Sequence, residues 1–389
     1  MRLTRRELAF ALLLSLSVFA LSSAYYFHFA HALDFEDWLD VDGFTRLVIP
    51  DTFAYQNALD YSDPLGSVLS SGVKNTLGPS LLWFLATNRW IPVIFANAVF
   101  LFFTLLYLAR TARLMEVRAA TTLRLMALVA LLPTTLYYSI GALKELPTLF
   151  GLTGFFYHYI RGNRSRWLAF ICLSVLFRYQ LAFVFVFFLV FVRFGRRAVP
   201  YAFLTLMLVA AMYPLIHLQM FEAETTASYR DLFGAAGSAG GWVESVRETV
   251  PVASAGAVLI RIVQSIFEPL LAFGRRPSFI EDGSISIWGL ALVGAALILL
   301  RYWLTFIRRL VIMIIEKPRV DREVTQLYTF CLVFIFPVAG FSFIQSRYLY
   351  PVTVLMLVAA VVGVPGRGVA LGHPKTSGVG HSPDAPVDY

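Results

Sequence analysis

Asp51 with Tyr55, Lys144 with Glu145, Arg178, and Arg347 with Tyr348 are the side chains of this sequence whose types suit chemistry. A carboxylate such as Asp51 can take a proton from a hydroxyl, and guanidinium or ammonium groups hold phosphate. Several of these residues interrupt or flank apolar sequence, and an ionisable group near the centre of a membrane helix costs roughly 2.5–3.5 kcal/mol. Each therefore calls for a partner or a function. Asp51 follows Pro50 and precedes Thr52, a position that also suits a helix N-cap, and capping does not exclude catalysis. Lys144 and Glu145 also fit a solvated corner, and Arg347 also fits snorkelling toward headgroups. Arg178 is harder to dismiss, because it divides an apolar run where a neutral turn would serve.

The elements that must position these residues follow from composition. The chain has 389 residues, of which 58% are hydrophobic and 14% charged. Water-soluble domains average ~45–50% apolar and ~25% charged, so a soluble enzyme is excluded. A mean hydropathy of +0.71 fits helices that face lipid. The net charge of +8 points to no nucleic-acid partner, because the basic residues concentrate in short loops on one membrane face.

Apolar runs at 8–27, 91–109, 125–142, 146–160, 167–177, 181–192, 198–220, 285–306, 326–343 and 350–364 predict about ten transmembrane helices. The runs at 167–177 and 181–192 are short and suit a tilted hairpin divided by Arg178, Tyr179 and Gln180. Segment 28–90 carries eight acids against three bases, and 221–284 carries eight against five, so both are expected to be long extracytoplasmic loops. Arg110, Arg113, Arg118 and Arg124, then Arg161, Arg164 and Arg166, then Arg193, Arg196 and Arg197, mark turns on the cytoplasmic side. Arg308 and Arg309 are expected in a later inner loop, and 252–273 is expected to be an amphipathic interfacial helix. The fold class is thus an all-α integral membrane protein with cytoplasmic N- and C-termini. One polytopic domain covers 1–365, and a polar tail at 366–389 is expected to be disordered. Under this topology the seven chemically apt residues lie near the extracytoplasmic surface.

Other patterns are weaker. Asp40-Val41-Asp42 is a triplet of the kind that holds a divalent cation, but acidic loops produce such triplets readily, and no metal or cofactor is assigned. His28 and His31 lack a second pair of ligands. Residues 234–241 are rich in Gly and Ala without the Lys-Ser/Thr of a phosphate-binding loop. Cys172 and Cys331 sit in apolar runs and suggest neither a disulfide scaffold nor a metal centre.

Three short motifs carry a resemblance. Asp51-Thr-Phe-Ala-Tyr55 in the first outer loop resembles the start of the GT-C superfamily of polytopic glycosyltransferases. Arg347-Tyr348-Leu-Tyr-Pro351, opening the last span, is similar to the Arg-Tyr-x-x-Pro found late in many members. Leu143-Lys144-Glu145-Leu-Pro147 looks like the corner seen in several bacterial envelope glycosyltransferases and polysaccharide polymerases. Many members carry a folded extracytoplasmic domain after the last span, whereas the segment that follows it here, 366–389, is expected to be a short cytoplasmic tail. Arg230 and Gly241 also match an Arg-x10-Gly spacing associated with O-antigen polymerases.

The resemblance implies transfer of a sugar from a polyprenyl-phosphate carrier to a glycan or lipid-linked acceptor, outside the bacterial inner membrane. Asp51 would act as general base, Arg347, Arg178 and Lys144 would neutralise the departing phosphate, and Tyr55 and Tyr348 would contact sugar. Glu145 would line the substrate site. The alternatives are a repeat-unit polymerase, which differs in acceptor size, and a transporter or flippase of an anionic lipid-linked substrate.

Overall fold

Apolar, helix-favouring sequence bounded by caps and prolines sets the element order. A computed structural model describes residues 3–27, 77–87, 89–141, 144–211, 280–281, 284–285, 287–316, 320–341 and 346–362. Helix α1 (Arg5–Tyr25) starts at a capping box: the Thr4 hydroxyl accepts from the Glu7 N–H at 3.2 Å, and the Glu7 carboxylate accepts from the Thr4 N–H at 2.9 Å. After α2 (Leu77–Leu85), helix α3 (Trp90–Leu114) runs 25 residues, about 37 Å at helical rise. Arg113 in its last turn donates from Nε to Glu7 Oε1 at 2.8 Å, so the start of α1 and the end of α3 share one arginine-rich end of the bundle.

The run at 125–142, expected as one span, is broken. Helices α4 (Ala119–Leu131) and α5 (Pro133–Ile140) meet at a 53° bend. Pro133 has no N–H to donate, and its ring drives Leu132 out of helical geometry to φ −56°, ψ 131°. Apolarity alone does not register such a break, because the hydrophobic run continues through it. The Thr135 hydroxyl donates to the Val129 carbonyl at 2.5 Å, which satisfies an acceptor the break releases.

Helices α6 (Glu145–Ile160), α7 (Arg164–Phe177) and α8 (Leu181–Phe191) follow, the last two separated at Arg178, Tyr179 and Gln180. Glycines bring α6 and α7 together: a Cβ on Gly151 would collide with the Ser174 hydroxyl, and one on Gly154 would collide with the Phe170 ring. Small residues at such a seam let helix backbones approach closely. On the other side of α6 the Phe155 ring lies 4.6 Å from that of Phe185 and 5.5 Å from that of Phe330. A 3-10 segment, Val192–Arg197, turns the chain into α9 (Ala198–Ala211), with Gly195 at φ 58°.

A two-residue antiparallel ladder, β1 (Ile280–Glu281) with β2 (Ser284–Ile285), precedes α10 (Ile287–Ile315). This helix runs past Phe306, so Arg308 and Arg309 stand on it rather than in the expected loop. The reason is tertiary: Arg309 donates to the carbonyls of Ala359, Ala360 and Val362, closing the C-terminus of α12 (Ser346–Val361), and the Ala360 contact is 2.7 Å. Between them α11 (Arg322–Phe341) packs Tyr328 flat on Phe306 at 5.0 Å and donates from the Tyr328 hydroxyl to the Ala359 carbonyl at 3.0 Å.

The outward faces are apolar. Leu13 on α1 is 61% exposed, Val186 on α8 60% and Leu304 on α10 58%. Such surface is disfavoured in water and natural against acyl chains. Among the described residues, α1 and α3 are each long and apolar enough to cross a membrane, as is the bent pair α4–α5 if taken as one span. The described residues are otherwise helical, as expected of an all-α membrane protein.

Candidate functional site

At the end of the bundle opposite Glu7 and Arg113, two helix termini bring opposite charges together. Glu145 occupies the first turn of α6, where the helix dipole favours an anion. Pro147 falls in the same turn, where the missing N–H costs no helical bond. Arg178 ends α7 in extended geometry, φ −146°, ψ 94°, a terminus that favours a cation. The seam at Gly151 and Ser174 holds the two helices at the separation this pairing needs. Arg178 Nη2 donates to Glu145 Oε1 at 2.6 Å, and the side chains are only 9% and 5% exposed. Lys144, half-buried, precedes Glu145 as the N-cap residue of α6.

Neutral hydrogen bonds hold the neighbouring elements in place. The Thr135 hydroxyl gives its proton to Val129, so at 2.6 Å it must accept from the Tyr350 hydroxyl. Tyr350 belongs to the Arg-Tyr-x-Tyr-Pro sequence at the start of α12; its ring lies 4.9 Å from that of Tyr138, and the Glu145 carboxylate acts on it electrostatically. The same logic orders a second chain: Ser139 Oγ donates to the Leu136 carbonyl at 2.6 Å, so Ser22 Oγ donates to Ser139 Oγ at 2.5 Å. Asn97 Nδ2 donates to the carbonyls of Ser139 at 3.1 Å and Gly141 at 2.7 Å. These bonds anchor the end of α5, from which the chain leads to Lys144 and Glu145.

The arrangement is suited to particular chemistry. Two charges out of water persist only because they face each other, since removing one partner of such a pair costs about 3–5 kcal/mol. Arg178 binds one carboxylate oxygen, while Glu145 Oε2 is buried without a hydrogen-bond partner among the described residues. That oxygen can accept a proton or a hydroxyl hydrogen bond from a substrate. A guanidinium held in place by a carboxylate is a preorganised partner for phosphate.

Of the residues singled out from sequence, Lys144, Glu145 and Arg178 meet at this end of the bundle. The backbone puts Arg347 and Tyr348 in the first turn of α12, beside Tyr350. Asp51 and Tyr55 lie outside the described residues, as do His28, His31, Asp40, Asp42, Arg230, Gly241, segment 252–273 and the tail at 366–389. Sequence reading missed Asn97, Thr135 and Tyr350 as members of the network. Asn97 did leave a signal: it is a lone amide between Ala96 and Ala98 in the most apolar part of α3. Among the described residues no three His, Cys, Asp or Glu side chains cluster as metal ligands. Cys172 is exposed and Cys331 buried, each as a free thiol.

Comparison with known proteins finds no matching family model, no matching curated protein and no matching solved structure.

Proposed function

We propose that this chain is a membrane glycosyltransferase that moves a sugar from a polyprenyl-phosphate carrier to a glycan or lipid-linked acceptor. In this reading it is a multi-pass protein of the bacterial inner membrane, oriented with its arginine-rich end in the cytoplasm and its site facing outward. The observation that carries the proposal is the buried Glu145–Arg178 pair, set beside Tyr350 of the Arg-Tyr-x-Tyr-Pro helix. Three separate stretches of sequence thereby supply an anion holder, the carboxylate that orients it and a phenol.

In this mechanism Asp51 takes the proton of the acceptor hydroxyl as that oxygen attacks the anomeric carbon. The carbon–oxygen bond to the lipid phosphate breaks on the opposite face, and its electrons remain on the phosphate. Arg178, Lys144 and Arg347 meet that growing charge, while Glu145 keeps Arg178 oriented. Tyr55 and Tyr348 contact the sugar. A polymerase would use the same groups with a larger acceptor.

One observation favours a second reading. The chain is interrupted at Leu132 between α4 and α5 and at Arg178 between α7 and α8, and transporters often build anion sites from broken helices. A single assay separates the two. Purified protein in sealed vesicles is given a lipid-linked monosaccharide and an acceptor. Transferase activity yields glycosylated acceptor, and Asp51→Asn reduces its rate by about 10²–10⁴-fold. Movement of intact lipid-linked sugar between leaflets without product would establish the transporter instead.

A further inference from the structure

The opposite end of the bundle holds a second concave surface that the proposed reaction does not use. A cavity of about 560 Å³ opens between the start of α1, the end of α3 and the α6–α7 corner. Glu145 and His158 lie toward opposite ends of α6, about 20 Å apart along its axis. Arg5, Arg110, Arg161 and Arg166 line the cavity, and among the described residues no carboxylate does. Glu7, the nearest acid along α1, is committed to Arg113 and the Thr4 cap. The topology rule asks only for basic loops. It does not require guanidiniums from three separate stretches to converge on one recess without a carboxylate among the described residues that line it.

The recess is built rather than incidental. The Arg110 guanidinium lies over two rings, 5.7 Å from the centroid of Tyr107 and 5.8 Å from that of Tyr157, which fixes its position. His158, only 4% exposed, stands in the field of Arg166, Arg110 and Arg161 and stacks on Phe170 at 5.5 Å. Asn163 adds a polar side chain at the rim, and Leu3, Leu8 and Leu106 form an apolar wall. Planar, forked donors match phosphate oxygens, and basic pockets between membrane helices recruit anionic headgroups.

We infer that this cavity binds a phosphate-bearing anion. The apolar wall leaves room for hydrocarbon beside the phosphate, so the ligand is either an anionic phospholipid headgroup or a soluble phosphate compound of diphosphate size. The test uses the full chain in phosphatidylcholine nanodiscs. Phosphatidylglycerol retention is counted by native mass spectrometry, and inorganic diphosphate binding is read by calorimetric titration. At least one probe binds saturably, and Arg161→Gln with Arg166→Gln weakens it about tenfold or more, the loss expected for charge-assisted bonds. Both arginines are exposed, so their neutralisation spares the fold. Arg193→Gln with Arg196→Gln removes the same charge from the exposed 3-10 segment, which does not line the cavity, and changes binding less than about twofold, because exposed charges off the site are screened by salt. Phosphatidylglycerol bound with diphosphate silent identifies a lipid site, and the converse identifies a soluble ligand. The inference is overturned if neither probe binds, or if the two double variants weaken binding equally.

Discussion

Replacing Arg178 by Ala lowers stability by about 3–5 kcal/mol, because the Glu145 carboxylate is then left buried without its counter-charge. The loss is a desolvation cost rather than the worth of an attractive bond. It follows that removing both charges is far milder: Glu145→Leu with Arg178→Met keeps similar volume and is expected near neutral stability. Heating followed by fluorescence size-exclusion reads this directly. Arg178→Ala should aggregate well below the parent, and the double variant should elute as the parent does. Transfer activity should divide differently, absent in both. If the double variant is as unstable as Arg178→Ala, the two charges do not act as a unit. If it is stable and fully active, the pair is architectural only.

Arg347→Ala leaves abundance unchanged but lowers the rate of sugar transfer by about 10²–10³-fold, the usual effect of removing one donor to a developing oxyanion. Stability is spared because Arg347 stands in the first turn of α12, where backbone N–H groups have no intrahelical partner to lose. The conservative change discriminates between roles. If the residue only snorkels to headgroups, Arg347→Lys is indistinguishable from the parent. If it clamps phosphate with a planar fork, Lys restores only part of the rate. The measurement is initial rate at saturating lipid-linked donor, with protein quantified in the same membranes.

The sequence announced charges more readily than neutral structure. Lys144, Glu145 and Arg178 were visible because each punctuates apolar sequence, where an ionisable side chain is costly. That Glu145 and Arg178 touch was not visible, since their contact depends on the tight α6–α7 seam at Gly151 and Gly154. Thr135 and Tyr350 look like ordinary helix residues until the break at Pro133 exposes a carbonyl that Thr135 must satisfy. Arg309 reads as a loop residue because charge after an apolar run suggests the end of a helix. In fact its guanidinium serves the carbonyls that end α12. The arginines of the second cavity were legible as loop charge, but their convergence with Arg5 across three elements is a tertiary fact.

Catalysis of the proposed kind requires residues far apart in the chain to meet. The most direct test is a cysteine pair, Asp51→Cys with Arg347→Cys, in a Cys172→Ser background that removes the exposed native thiol. A short bifunctional thiol reagent is applied to membranes. Efficient crosslinking, protected by lipid-linked donor, is the expected result. Failure to crosslink while each cysteine alone still reacts with a small maleimide would separate the proposed base from the phosphate clamp, and the catalytic reading would be wrong.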